Sequence, residues 1–592
     1  MPLAALRAFY RASPVLTVCS LALATCSGLL MPTFMLASGA LVEALSTQTD
    51  YRAPLITLAL VFALQRTLDP IREEIGNALW PRVDESLNDR IMVAMAAPHG
   101  LQEVEDPKVL DKISQARGAF FGFTPGQAAQ QFAGVWGTRV QSFASLAIVA
   151  RWYWWAGVGL LAAYLVSFAF SRRLSNHLLT VLWSQSDRFR RAYYLRTLGL
   201  SSELAKESRI FDLADWLVKH YRASSLAVLG DIWSKRDEGW LSAAIVVVVL
   251  AAAEAVSLWV AVTDALQSRI ALGTTVSLVQ AIVAAGMLSR YEDADYALMQ
   301  AAASIASVSD LEDAARVETV TSGTLAADGL PRHAIRFENV TFTYPDRAEP
   351  VLESFNLDIA AGRSLAIVGA NGAGKTTLVK LLARLYDPTT GRVSVDGIDL
   401  RDIAPAAWHR RISALFQDFA RFETTAYDNV AFGALHARAD RETVTQAAAN
   451  AGVLEVVERL ENGWDTTLSR EYRAGGELSG GEWQRLALAR ALFGIAGGAG
   501  VLILDEPTAS LDVRAEAEIY QRFLDLTRGV TTVVISHRFS TVRRADRIVV
   551  IDGGRVIEDG THAELVLLPN GRYAEMYALQ AARFSEAETV DA

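Results

Sequence analysis

The chain has 592 residues, of which 21% are charged, and a formal net charge of −10. This length is too great for one hydrophobic core, so several domains are expected. A mean hydropathy of +0.21, in a chain with a charged, motif-rich half, indicates an integral membrane protein with a soluble domain attached. The acidic balance argues against a nucleic-acid partner, because binding a phosphate backbone requires a concentrated basic face.

Six apolar segments predict six membrane-spanning helices. The second is the weakest, because Gln65, Arg66 and Asp69 interrupt it, although a helix that lines a watery cavity tolerates such groups. Basic residues precede the first segment and follow the fourth, which places both chain termini in the cytoplasm. The predicted spans lie near residues 14–42, 54–67, 131–150, 152–170, 241–263 and 272–288.

One carboxylate, that of Glu254, lies in the middle of the fifth predicted span, within an otherwise apolar helix. Two interpretations stay open. In the first, Glu254 faces a substrate cavity together with Arg139, Gln280 and the polar stretch 290–295. In the second, Glu254 pairs structurally with a neighbouring helix, and 290–295 lies in the cytoplasm.

The chain divides by composition into three parts. Residues 1–312 form the predicted transmembrane domain, in which two long, polar, helix-forming stretches separate the second span from the third and the fourth from the fifth. The sequence is polar and loose over 313–332, which is typical of a linker. An α/β domain is predicted over 333–592.

A glycine-rich stretch directly follows the apolar strand predicted at 364–368 and opens a helix. This strand–loop–helix context is that of a phosphate-binding loop, in which consecutive backbone N–H groups converge on an anion. Lys375 is expected to neutralise the β and γ phosphate oxygens of a bound nucleotide, and the Thr376 hydroxyl to bind Mg²⁺. The nucleotide-binding residues predicted here are Gly369, Ala370, Asn371, Gly372, Ala373, Gly374, Lys375, Thr376 and Thr377.

A second apolar strand, at 501–504, ends in two adjacent carboxylates. One carboxylate directed at a metal and one that activates water suit the hydrolysis of a phosphoanhydride. We assign Asp505 to the metal and Glu506 to the base.

The sequence Leu478-Ser-Gly-Gly-Glu482, together with the phosphate loop, resembles the signature of ATP-binding cassette (ABC) proteins. The remaining motifs occur in the order and spacing of that family. The resemblance implies that Tyr344 stacks on adenine and that Gln417 senses the γ-phosphate and contacts the metal. It further implies that His537 holds the γ-phosphate and the attacking water, and that Asp512 communicates across a dimer.

In the family, the signature turn binds the ATP held by the opposite subunit. Ser479, Gly480, Gly481 and Glu482 are therefore expected to complete the site of a second chain. The resemblance thus implies a dimer of half-transporters, with a homodimer favoured and a heterodimer possible.

The whole chain resembles an exporter-type ABC half-transporter, in which a six-helix transmembrane exporter domain precedes an α/β P-loop ATP-binding cassette domain with an α-helical subdomain. Segments 108–116 and 205–216 resemble its coupling helices. The signature is followed by Trp483-Gln484. In this region the sequence resembles exporters of lanthionine-containing peptides, natural products and drugs.

The resemblance implies ATP-driven export of a peptide, natural product or other amphipathic compound across a bacterial plasma membrane, with ATP and Mg²⁺ as cofactors. The partners implied are the lipid bilayer, a second half-transporter and a small-molecule or peptide cargo. Four alternatives share the motifs or the architecture: a lipid flippase, a multidrug exporter, a siderophore importer, and a non-transporting ATP-gated channel or sensor.

Overall fold

The computed structural model describes the chain except for residues 1, 97–99, 117–122, 185, 202–203, 238–239, 317–322, 507–525, 537 and 581–592. The chain divides into two compact units. Met1–Ala97 and Asp106–Ala315 form the first, and Pro98–Glu105 and Arg316–Ala592 form the second.

The described part of the first unit is helical. Its helices are α1 (Pro2–Ala12), α2 (Pro14–Ser46), α3 (Arg52–Ala96), α5 (Pro107–Ala116), α6 (Pro125–Trp152), α7 (Trp154–Ser184), α8 (Ser186–Leu200), α9 (Ala205–Ile210), α10 (Ala214–Asp237), α11 (Trp240–Leu266), α12 (Leu272–Ala285) and α13 (Asp293–Arg316), and α4 (Gln102–Glu105) belongs to the second unit.

Each of the six predicted spans lies mainly on one helix of the first unit, namely α2, α3, α6, α7, α11 or α12. The sixth span, 272–288, extends past the end of the 14-residue α12 into a 3-10 turn. Five helical regions in the described residues are long and apolar enough to cross a membrane, and α6 is the exception. Gln127, Gln130, Gln131 and Arg139 lower the hydropathy of α6. These groups are tolerated because α6 packs against α2, α3 and α12 instead of standing alone in lipid.

Small residues set how closely these helices pack. A methyl group added at Gly28 of α2 would collide with the carbonyl oxygen of Gly137 on α6. One added at Gly39 of α2 would overlap the carbonyl oxygen of Gly273 and the hydroxyl of Ser277, both on α12. Glycines therefore allow backbone-to-backbone approach on both sides of α2, as is common between membrane helices.

The last apolar helix of the unit is broken. Helix α12 ends at Ala285, a 3-10 turn covers Gly286–Ser289, and helical structure resumes only at Asp293. The Arg139 guanidinium on α6 donates to the carbonyl oxygens of Leu288 and Arg290, at 3.1 and 3.3 Å. These bonds replace the intrahelical partners that the break removes, as is required of irregular backbone within a membrane domain.

The described part of the second unit contains two sheets. One is antiparallel, with the order β2-β1-β4-β5, and the other has the order β10-β9-β3-β8-β7-β6 and is parallel from β9 to β6. The strands are β1 (Ala334–Phe342), β2 (Leu352–Ala360), β3 (Ser364–Gly369), β4 (Thr390–Val395), β5 (Ile398–Asp399), β6 (Ile412–Leu415), β7 (Val501–Asp505), β8 (Thr531–Ile535), β9 (Arg547–Asp552) and β10 (Arg555–Gly560).

Helices of the second unit cover the sheets and form a separate helical part. They are α14 (Lys375–Leu382), α15 (Pro405–His409), α16 (Ala426–Ala431), α17 (Arg441–Asn450), α18 (Leu454–Glu458), α19 (Gly480–Ala496), α20 (Phe539–Val542) and α21 (His562–Val566), followed by helical residues 572–580. Every residue of β7 and β8 is buried, which explains why their sequences, apart from Asp505 at the end of β7, are apolar or β-branched rather than alternating.

The segment Pro98–Glu105 belongs to this second unit although it follows a long helix of the first in sequence, and its described residues, 100–105, make the contacts. The amide of Leu101 donates to the carbonyl oxygen of Leu385 at 3.0 Å. Glu105 accepts a hydrogen bond from the buried Tyr386 hydroxyl and lies 3.5 Å from the Lys380 ammonium.

The glycine contacts of α2 lead to a stability prediction. Gly39→Ala should lower the melting temperature of the purified protein, because the added methyl group forces α2 away from α12. Gly159→Ala is the matched control, since nothing lies within 4 Å of a methyl group at that helical position and alanine favours helix by about 1 kcal/mol. Equal melting temperatures for both variants would contradict close packing at Gly39.

Candidate functional site

The glycine-rich loop joins β3 to α14, as its sequence predicts. Gly372 and Gly374 have φ angles of 83° and 99°, in the left-handed region that glycine adopts without strain. Gly374 is the N-cap of α14, and Lys375 is the first residue of that helix. The loop therefore directs backbone N–H groups and a helix N-terminus to one place, an arrangement that attracts phosphate.

Lys375 is buried at the centre of this loop. Its ammonium donates to the carbonyl oxygens of Gly369 and Ala370, at 2.8 and 2.9 Å. Burial lowers the pKa of Lys375, while the nearby Glu506 and Asp505 carboxylates oppose that effect. Because the lysine ammonium is a compact charge on a flexible stem, it can exchange these main-chain oxygens for phosphate oxygens.

The two predicted carboxylates stand at the end of β7. Burial, aided by repulsion from Glu506, raises the pKa of Asp505 to about 6, against the opposing effects of Lys375 and of a hydrogen bond from Thr376. Glu506 has a φ of 47°, and Gln417 donates to its Oε2 atom at 2.9 Å. The fold thus brings together Lys375, Thr376, Gln417, Asp505 and Glu506.

The residues assigned to Mg²⁺ fit that ion by donor chemistry. Thr376 offers a hydroxyl, Gln417 an amide oxygen and Asp505 a carboxylate, and Mg²⁺ prefers such oxygen donors together with phosphate oxygens. The Thr376 side chain already contacts the Asp505 carboxylate. Within the described ranges, no group of three or more His, Cys, Asp or Glu suits a metal.

Tyr344 lies beside the phosphate-loop helix. Its hydroxyl is 3.2 Å from the Thr377 hydroxyl, and its ring meets those of Phe342 and Tyr386 edge to face. The Lys380 ammonium lies 5.5 Å from the centre of the Tyr344 ring. Lys380 and Tyr386 were not predicted to lie beside Tyr344, and no short sequence pattern indicated these contacts.

The signature turn begins helix α19. Ser479 is the N-cap, and its backbone N–H donates to the Glu482 carboxylate at 2.8 Å, while the Ser479 hydroxyl accepts from the Glu482 N–H. The backbone N–H bond lowers the pKa of Glu482. Trp483 and Gln484 are buried, with Trp483 in the hydrophobic core of the helical part. The unusual Trp483 thus has a packing role in the domain.

Two predicted residues, His537 and Asp512, lie outside the part of the chain that the structure describes. Their expected roles stay predictions.

In the first unit, Glu254 accepts a hydrogen bond from the Tyr164 hydroxyl at 3.0 Å. Gln280 accepts one from Ser38 at 2.8 Å. Arg139 pairs with Asp295 at 2.8 Å, and its guanidinium lies 4.7 Å from the Phe168 ring centre. Arg139 and Asp295 line a cavity of about 430 Å³ at the helix break, whose lining does not include Glu254.

Comparisons with known proteins agree with this geometry. The model of the ABC transporter family matches residues 352–509. The ATP-dependent lipid A-core flippase of Chromohalobacter salexigens is 46% identical over 254 residues, a match that covers 43% of this chain and 42% of the flippase. This match therefore spans less than half of the flippase's own length.

Two further proteins match over nearly the whole chain. The subtilin transport ATP-binding protein SpaT of Bacillus subtilis is 26% identical over 555 residues, covering 91% of this chain and 88% of SpaT. The solved structure of a bacterial Atm1-family ABC exporter with ATP bound has a TM-score of 0.74 and 23% identity, covering 97% of this chain and 98% of that exporter chain.

The chain contains an ABC transporter domain and has the fold of an ABC exporter. One membrane domain is fused to one ABC domain, as in a half-transporter, and the apolar helices make it a multi-pass membrane protein.

The contacts of Glu105 lead to a prediction about local stability. Glu105→Ala should release Pro98–Glu105 from the ABC domain, because it removes the partner of Tyr386 and Lys380. Hydrogen exchange at the Leu101 amide should quicken about fivefold, the effect of losing roughly 1 kcal/mol. Glu353→Ala, which breaks an exposed ion pair with Arg555 in the same unit, should leave this amide unchanged. Equal exchange in the two variants would contradict the prediction.

Proposed function

We propose that this chain is one half of an ATP-driven exporter that moves a peptide, natural product or other amphipathic compound across a bacterial plasma membrane. The observation that carries the proposal is the assembly of Lys375, Asp505, Glu506 and Gln417 at one edge of a sheet, in a chain whose other unit contains five helical regions long and apolar enough to cross a membrane among the described residues. The proposal includes a transmembrane domain over 1–312, a linker over 313–332 and an ATP-binding cassette over 333–592.

Each residue of the nucleotide site has a separate task. The backbone N–H groups of the phosphate loop and the Lys375 ammonium bind the β and γ phosphates, and Tyr344 stacks on adenine. Thr376, Gln417 and Asp505 hold Mg²⁺, which neutralises charge on the phosphate oxygens when it is bound.

Glu506 acts as the base. Its carboxylate takes a proton from the attacking water, and the Gln417 amide at 2.9 Å keeps it in position. His537 is assigned to the γ-phosphate and the water, by resemblance to the family.

A second chain completes the site. Ser479, Gly480, Gly481 and Glu482 begin helix α19, and the N-terminus of this 17-residue helix favours an anion. We propose that they bind the γ-phosphate of ATP held by the partner, with Asp512 communicating across the interface. The favoured assembly is a homodimer, since both halves of a complete site occur in one chain. ATP-driven closure then alternates access to the membrane domain.

The candidate functions differ in the cargo that the protein would transport. SpaT is named for the transport of subtilin and matches over 91% of this chain, which favours a peptide-type cargo. The lipid A-core flippase has the higher identity, over 43% of the chain, and supports lipid flipping as the second candidate. Multidrug export, siderophore import and an ATP-gated channel or sensor share the same ATPase chemistry. Glu254, paired with Tyr164, is a candidate cavity residue for any of them.

Glu506→Gln tests the ATPase mechanism. The variant should bind ATP but hydrolyse it at least about a hundredfold more slowly, because an amide cannot accept the proton from water. Phosphate release is measured in lipid nanodiscs, and ATP affinity by equilibrium binding. Glu353→Gln, on the surface of the same domain, is the control. Wild-type hydrolysis by the Glu506 variant would remove this residue from the role of base.

Ser479→Ala tests the signature turn. The cap of α21 has the same geometry, with Thr561 in place of Ser479 and Glu564 in place of Glu482. Ser479→Ala and Thr561→Ala should therefore each cost about 1 kcal/mol of stability. Only Ser479→Ala should also reduce ATP hydrolysis and ATP-dependent dimer formation. Equal loss of hydrolysis in both variants would reduce the role of Ser479 to helix capping.

A further inference from the structure

A cavity of about 430 Å³ lies within the first unit, at the break between α12 and α13. Its walls come from α3, α6, the broken segment and the start of α13. Charged side chains of both signs line it. They are Arg72, Glu73, Arg139, Arg290, Glu292 and Asp295.

Some of these charges neutralise one another. Arg139 and Asp295 form an ion pair whose side chains are only 18% and 11% exposed, so this pair is part of the wall. Arg72 lies 3.7 Å from Asp69, one turn earlier on α3. The positive charge of Arg72 and that of Arg139 are thus each already compensated.

The other three charged side chains that line the cavity are those of Glu73, Arg290 and Glu292. Among the described residues, no ion pair involves the side chains of Glu73, Arg290 or Glu292, and all three side chains are exposed. Two carboxylates and one guanidinium therefore border the same space without direct contact to an opposite charge of the protein. A bound group that matched this set would carry a positive charge for the carboxylates and a negative charge for Arg290.

The depth of the cavity suits a site of cargo entry. Glu73 comes 21 residues after Arg52, at the start of α3, which corresponds to about 32 Å of helix. The length along α3 matches the roughly 30 Å of a bilayer's hydrocarbon core. Glu292 lies just after the break that follows α12 and lines the same cavity as Glu73. With the predicted topology, both carboxylates lie at the cytoplasmic boundary of the membrane.

We propose that this cavity binds a dipolar group of the cargo, in which a primary ammonium contacts Glu73 and Glu292 and a neighbouring anion contacts Arg290. The inference rests on the proposed export function and names the class of substrate. A purely apolar cation leaves Arg290 uncompensated, and a purely anionic compound adds repulsion from two carboxylates. The ammonium and anion belong either to a peptide or to a zwitterionic lipid headgroup.

The first experiment tests whether the dipolar group belongs to a peptide. It measures direct binding, without ATP, to the full chain in phosphatidylcholine nanodiscs. The probe is a fluorescent apolar peptide with one lysine and a free carboxyl terminus, and its binding is followed by anisotropy. Acetylation of the lysine, or amidation of the terminus, should each weaken binding about fivefold, the effect of one partly hydrated ion pair.

The second experiment tests whether the dipolar group belongs to a lipid headgroup. Mass spectrometry identifies the lipids that remain bound after purification in detergent. Retention of phosphatidylethanolamine over phosphatidylglycerol would assign the ammonium to a headgroup.

Both measurements are repeated on E73Q/E292Q and on the control E74Q/D293N. The control removes the same number of charges at the adjacent positions, which do not line the cavity. The dependence on the amine should disappear in E73Q/E292Q and persist in E74Q/D293N. R290Q should abolish the effect of amidating the peptide but keep the effect of acetylating it.

The inference is overturned if neither probe shows dependence on the amine, or if that dependence survives in E73Q/E292Q. Glu506-dependent ATP hydrolysis is measured on the same preparations. Its presence without amine-dependent binding would refute this site but leave the proposed function intact. Its absence would refute the proposed function, while the binding data would still decide whether the cavity holds a dipolar group.

Discussion

The nucleotide site depends on the parallel pairing of β3, β7 and β8. Because neighbouring parallel strands end at the same edge of a sheet, residues far apart in sequence arrive side by side. Lys375 follows β3 and Glu506 follows β7, and the Glu506 amide donates to the carbonyl oxygen of Ile535, at the end of β8, at 2.9 Å. The apolar side chains that hold these strands in register thus also set the distance between the loop cation and the carboxylates.

Much of this arrangement could be predicted from the sequence, because its signals are local. The phosphate loop, the two apolar strands and the capping box at Ser479 each lie within a few consecutive residues. Neighbouring residues in such motifs fix the backbone conformation. The type of each motif and the order of the motifs along the chain therefore suffice to predict the fold class. The positions of the six helices that carry the predicted spans followed equally from apolar segments of sufficient length.

Other features could not be predicted, because they arise from contacts between distant segments. The partner of Glu105 is Tyr386, 281 positions away. The break after α12 was hidden, since 286–292 contains no proline, and the Arg139 guanidinium that accommodates it comes from another helix. Trp483 looked like a marker of cargo class, but its side chain is buried in the domain core. Such interactions depend on tertiary packing, which leaves no short pattern in one sequence.

The backbone of Glu506 has a consequence for how this protein can change over time. A residue with a side chain at a φ of 47° carries strain of about 1–2 kcal/mol that glycine would relieve. If Glu506 is the base, as proposed, the chain keeps a less stable fold in exchange for this carboxylate, as often happens at active sites. If a descendant no longer needed to hydrolyse ATP at this site, drift at position 506 toward glycine would stabilise the domain. Loss of catalysis would then be hard to reverse, because the restoring change would have to reintroduce the strain.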